Sequence, residues 1–259
     1  MMLNREKINI MEQSMSIYVV HLPHSGVEIP KNYRDDYLLS NELLRRNIFE
    51  YADYLTDELY KPFIENFTSV INPYSRLFMD PERFFEDTKE SMHTEHRLGW
   101  FYENAILEKT PLRCTTHKDE IATYYHEHHQ KLLGLVENKL LRYKECIIID
   151  CHSFSNRRYW FHKQDINLPD ICIGFDEFHQ NEHLAALLLE EFSEYKIGIN
   201  TPYAGSLVPM KYYNKDNRVK SVMIEINKKL YLQSDNTTKS EGFVKIQNHF
   251  ANIVRKLRS

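Results

Sequence analysis

The chain has 259 residues, 42% of them hydrophobic and 27% charged, enough for one sizeable core. Its 33 basic and 37 acidic residues leave a formal net charge of −4, which argues against a polyanionic partner such as nucleic acid. No apolar run reaches the ~18 to 20 residues that span a bilayer. The opening "MMLNREKINIMEQSMS" has no apolar stretch of the kind a secretory leader needs, and the four cysteines form no CxxC pair, so a reduced, cytoplasmic protein is expected.

In chain order, "SIYVVHLP" (16–23) reads as a strand running into a loop marked by Gly26 and Pro30. Apolar residues at helical spacing predict one long helix over roughly 38–62. "FTSVIN" (67–72) reads as a second strand, and 73–117 as a long irregular segment, a kind of loop that is usually functional or partly helical. An amphipathic helix over 118–144 precedes the strand "CIIID". Then follow a strand over 170–176, a helix over 181–195, a strand over 219–227 and a closing helix over 240–258. The alternation argues for a single-domain α/β sandwich, residues 1–259, with a largely parallel or mixed sheet. Ligands of such sheets bind outside the carboxyl ends of the strands. That places His24, Asn72, Arg76, Asp150, His152 and Asp176 at one edge.

Two of the thirteen histidines, His24 and His152, each sit just past a strand, and a pair of imidazoles at one sheet edge suits a divalent metal, most often zinc. Asp150, two residues before His152, shares its face as a ligand or as a carboxylate that orients one. Glu225 lies within apolar "SVMIEIN", where a carboxylate must be paired, metal-bound or shifted in pKa; beside a metal it would be a general base. Arg76, Asp80 and Arg83 crowd into "SRLFMDPER", a segment suited to gripping a substrate carboxylate. The "YYHEHHQ" cluster is expected to face solvent. Glycine-rich nucleotide loops and a GxSxG elbow are absent. Cys151, beside His152, points to the opposite face and cannot be activated by it.

"LPHSGVEIP", "SRLFMDPER", "DCHSF", "PYAGSLVP" and "MIEINKKLY", in that order over about residues 17–235, resemble the N-formylglutamate amidohydrolase family. The resemblance implies a three-layer α/β sandwich with a mixed central sheet, like that of the zinc carboxypeptidases and aspartoacylases. It implies one Zn²⁺ held by His24, His152 and a third ligand, Asp53, with Glu28 the alternative. It further implies Glu225 as general base, and Arg76, Asp80 and Arg83 facing the substrate carboxylates. Asp150, Ser153 and His129 would support the ligands. The activity implied is hydrolysis of N-formyl-L-glutamate to formate and glutamate, a small acidic substrate with no nucleic acid or membrane involved. Cys151 stands where the family often has alanine, and Lys228 where it often has arginine. The irregular segment lacks the family's Thr-Gly-rich run. These departures leave open another N-acyl amino acid, peptide or cell-wall amide as substrate, or a binding protein without turnover. No oligomeric state follows from the sequence.

Overall fold

Three consecutive isoleucines need apolar cover on both sides, and the strand that carries them gets it by running through the middle of a sheet. In the computed structural model, which describes residues 16–161 and 168–259, this strand is β3, Cys146–Phe154, with all nine residues buried. It is flanked by β1 (Tyr18–Leu22) and β6 (Val219–Asn227), both parallel to it. β2 (Thr68–Ile71) lies outside β1, and β4 (Ile171–Gly174) and β5 (Ile197–Ile199) lie outside β6, giving the order β2-β1-β3-β6-β4-β5. β4 runs antiparallel to β6, so the sheet is mixed, as expected. The strand β5 is an addition to the sequence reading, which assigns no element between the helix over 181–195 and the strand over 219–227. The N-terminal stretch read for a leader lies outside the described residues.

The helices are α1 (Asn41–Tyr51), α2 (Thr56–Leu59), α3 (Lys61–Asn66), α4 (Ser91–His96), α5 (Lys118–Tyr143), α6 (Glu182–Glu191) and α7 (Gly242–Arg258). Side chains on successive strand residues alternate between faces. On one face Val20, Leu22, Ile147, Ile149, Cys151, Val222, Ile224 and Ile226 join the α7 stripe Phe243, Ile246, Phe250 and Ile253 in the largest core cluster. Each such side chain contributes about 1.5–3 kcal/mol by leaving water. On the other face Val19, Ile148 and Val219 pack with Leu132, Val136 and Leu140 of α5. Towards the carboxyl end that second face turns polar, with His21, Asp150, His152 and Glu225. The result is one mixed α/β domain with helices on both sides of the sheet. Among the described residues no helix is long and apolar enough to cross a membrane.

Two expectations are corrected here. The single helix over 38–62 is three helices. Ala52 ends α1, Leu55 adopts a left-handed conformation (φ 63°), and Pro62 sits in the first turn of α3. A left-handed leucine interrupts the α-helical hydrogen-bond ladder. The strand "CIIID" also runs four residues further than read, so His152 lies within β3 rather than past it.

The segment 73–117 is irregular but not loose. Leu77, Leu98, Tyr102, Ala105, Ile106 and Leu112 form a cluster with Leu44 and Ile48 of α1. The buried Arg113 guanidinium donates to the carbonyls of Tyr102 and Phe78 and to the Tyr37 hydroxyl, and stacks 3.4 Å from the Phe101 ring centroid.

Candidate metal centre

Strand register brings the first residues together. His21 of β1 pairs with Asp150, and His152 pairs with Glu225 of β6. His24 follows β1 after Pro23, in a turn that Asn72 fixes by donating its backbone N–H to the Leu22 carbonyl and its side-chain amide to the Pro23 carbonyl, both at 2.9 Å. Gly26 lets the two loops touch. A Cβ there would lie 2.3 Å from the Pro73 carbonyl carbon, far inside van der Waals contact. The break after α1 supplies Asp53. Its N–H donates to the His24 carbonyl at 2.9 Å, and the Thr56 hydroxyl donates to its own carbonyl at 2.6 Å.

Three donor atoms converge. Asp53 Oδ2 lies 3.2 Å from His152 Nδ1 and 3.6 Å from His24 Nδ1. Both imidazoles turn their other nitrogen to a buried carboxylate, His24 Nε2 to Asp80 Oδ1 at 2.8 Å and His152 Nε2 to Asp150 Oδ1 at 3.1 Å. This is how metal-ligating histidines are held, with the outer N–H on a carboxylate fixing tautomer and ring angle. His24 Nδ1 is buried and has no hydrogen-bond partner. The group His24, Asp53 and His152 could hold a metal ion, and an orphaned inward nitrogen is what such a site leaves when only the protein is considered.

Electrostatics support the geometry. Burial would raise the Asp53 carboxyl, but the facing His152 and His24 rings outweigh it and hold it well below the usual range. Asp150 is held low in the same way by His152 and His21. Burial favours a neutral His152, yet Asp150 and Asp53 raise it well above an ordinary imidazole. Glu225, 7% exposed, lies on an interior strand and its Oε2 has no hydrogen-bond partner. Burial pushes its carboxyl up to about 8, against the pull of His152.

Asp80 is the hub of the irregular segment. Its Oδ2 accepts two bonds from Arg76, at 3.1 Å from Nε and 2.8 Å from Nη2, and a third from the Tyr102 hydroxyl at 2.6 Å. Its Oδ1 accepts from the Glu82 N–H as well as facing His24. The Arg76 guanidinium stacks 4.3 Å from the Tyr51 ring centroid. Arg83 Nε is buried without a partner, as is His129 Nε2. Burial and the charge of His21 lower His129 to about 4. Ser153 turns away from His152 and accepts from the Tyr231 hydroxyl at 2.9 Å, while Tyr60 donates to the His152 and Ile224 carbonyls and pins β3 to β6.

The structure thus gathers His24, Asp53, His152, Asp150, Glu225, Arg76 and Asp80. It does not gather Glu28, which is exposed and meets the neighbouring loop only through its backbone. Asp176 is also excluded. Because β4 is reversed, its carboxyl end points to the opposite edge, where Asp176 accepts from the Tyr213 hydroxyl. The "HEHH" histidines are not all solvent-facing either. His128 is buried, and its Nε2 lies 2.8 Å from His21 Nε2. Sequence reasoning missed His21, Glu82 and His128. The signals were a histidine inside the strand "YVVHL", and the position of His128 on the helical face of Ile121, Tyr125 and Leu132.

A crystal structure of N-formylglutamate amidohydrolase from Ralstonia eutropha is similar over 93% of each chain, with a TM-score of 0.79 and 21% identity. The crystal structure of a gene product from Agrobacterium tumefaciens is similar over 94% of this chain and 91% of the other, with a TM-score of 0.61 and 16% identity. At these identities both show a shared fold. No curated protein sequence matches the chain. The family model of N-formylglutamate amidohydrolase matches residues 16–232, most of the length, and the chain therefore belongs to the N-formylglutamate amidohydrolase family.

Proposed function

We propose that this protein is a zinc-dependent, cytoplasmic amidohydrolase that cleaves the amide bond of an N-acyl amino acid, with N-formyl-L-glutamate as the first substrate to test. The observation that carries the reading is the convergence of His24 Nδ1, Asp53 Oδ2 and His152 Nδ1 next to the unpaired Glu225 Oε2.

His24, Asp53 and His152 would hold the ion, and Asp80 and Asp150 would hold the two rings in place. Zn²⁺ bound there would supply Lewis acidity to the amide carbonyl and to water. Glu225 Oε2 accepts the proton of the attacking water and returns it to the leaving nitrogen. A bound divalent ion nearby would favour the ionised form of Glu225, which can accept that proton, and its buried setting would favour keeping the proton until the nitrogen leaves. Arg83, with Nε free, takes a substrate carboxylate; Arg76, held by Asp80, lines the same side. His129 would support the wall of the site, whereas Ser153 faces the other side of β3, bonded to Tyr231, and takes no part in it. The four free cysteines suit a reducing compartment.

The test is formate release from N-formyl-L-glutamate by purified protein, with chelator and with zinc added back. Release that stops with chelator and returns with zinc supports metal and substrate together. Bound zinc without release discards this substrate and turns the search to other N-acyl amino acids and peptides.

A further inference from the structure

Next to the group just described lies a second set of donors, of which the proposed mechanism uses only Asp150. His21 Nδ1 is 2.9 Å from Asp150 Oδ1 and 3.3 Å from Glu82 Oε1. The three ligand atoms all lie within 4.8 Å of one another. We infer that His21, Glu82 and Asp150 form a second metal site, for a divalent cation of borderline hardness such as Zn²⁺ or Mn²⁺.

Three observations carry it. The first is ring orientation. His21 points Nδ1 at the two carboxylates and Nε2 at His128 Nε2, 2.8 Å away, in a wholly buried setting. His24 and His152 have the same arrangement, with Nδ1 inward and Nε2 on a buried acceptor, which is the posture of a ligating imidazole. The second is an unpartnered donor. Glu82 Oε1 is a buried atom with no hydrogen-bond partner, though it faces His21 and lies 3.9 Å from His152 Nε2. The third is charge. Glu82 and Asp150 are two carboxylates whose facing oxygens lie within 4.8 Å of each other, with the Asp150 side chain fully buried and that of Glu82 16% exposed, so their negative charges repel. A divalent cation relieves that repulsion, where one neutral imidazole supplies only a single proton. One nitrogen and two carboxylate oxygens suit zinc or manganese. Asp150 would serve both sites, since its Oδ1 also accepts from His152 while its Oδ2 accepts from the Leu207 N–H.

The inference concerns metal binding and stands apart from the amidohydrolase reading. Its test is metal count. Full-length protein stripped by chelator is titrated with Zn²⁺ by calorimetry and counted by elemental analysis, with circular dichroism confirming that each variant is folded. Wild type is expected to bind two ions per chain, and Glu82→Gln, His21→Asn and Asp53→Asn one each. Glu82 Oε1 has no hydrogen-bond partner among the described residues and its side chain is 16% exposed, so Glu82→Gln should fold even if His21→Asn does not. One ion in the wild type that survives Glu82→Gln but is lost in Asp53→Asn overturns the second site and leaves the first standing. One ion that survives Asp53→Asn but is lost in Glu82→Gln supports the second site and sinks the first. Two ions that both persist in Glu82→Gln and His21→Asn overturn the assignment, and binding of none overturns both sites.

Discussion

Two regions supply the candidate site, and they hold their residues by different means. Asp150, His152 and Glu225 come from β3 and β6, where backbone ladders fix the register and alternation fixes the face. Asp53, Asp80, Glu82 and Arg83 come from a helix break and an irregular segment, where no ladder exists. There the side chains do the fixing, through Asp80 with its ring of donors and through Arg113 with its three carbonyl and hydroxyl partners. The strand side should therefore tolerate loss of a functional group and keep its shape. The loop side should lose shape together with function.

The largest expected effect tests the strand side. Glu225→Gln should lower turnover by roughly 10²–10⁴-fold, the range for removing a positioned general base. Zinc content, measured by elemental analysis, should stay unchanged, and retained turnover would remove Glu225 from its role. Asp80→Asn against Asp150→Asn sharpens the contrast. Both should weaken zinc binding by about 10–100-fold, because each removes an ionised partner of a ligand histidine. Asp80→Asn should also cost about 2–4 kcal/mol in urea unfolding, because it strips the largely covered Arg76, 11% exposed, of its counter-charge. Equal stability of the two variants would show that the loop is not held by its hub.

Glu225 makes a third test, by pH. A glutamate in the unfolded chain loses its proton near 4.5, whereas in the metal-free fold Glu225 keeps it to about 8. Between those values the unfolded state binds fewer protons, so stability falls as pH rises. In metal-free protein Glu225→Gln should raise the melting temperature by several degrees at pH 8 and leave it unchanged at pH 4. The smallest effect concerns the joint between the regions. Gly26→Ala should destabilise by about 1–3 kcal/mol, since its methyl would meet the Pro73 carbonyl. A neutral result in thermal melting would show that the two loops can part.

This division also explains what the sequence revealed. Residues on strands were legible, since "CIIIDCHS" and "SVMIEIN" carry their burial and their alternation in plain view. Even there, the true end of β3 was hidden, because polar His152 and Ser153 read as loop until a neighbouring strand covers them. The reversal of β4, which sends Asp176 to the far edge, depends on strand pairing that no local pattern encodes. The break before α2 was masked by apolar residues that keep helical spacing through Leu55. Asp53 was suggested by family resemblance, and its position in that break emerged only from the structure. His21 and His128 reach each other across 107 residues, a contact fixed by how α5 lies on the sheet.

The pleat of β3 has one more consequence. Asp150 and His152 lie on one face and Cys151 on the other, where burial pushes its thiol well above the ordinary range. A sulfhydryl sealed in that way stays in its unreactive protonated form. Cys146 and Cys172 are buried too, which leaves Cys114 as the one partly exposed sulfur. The thiol that stands next in sequence to one of the site's histidines is thereby shielded from electrophiles and oxidants.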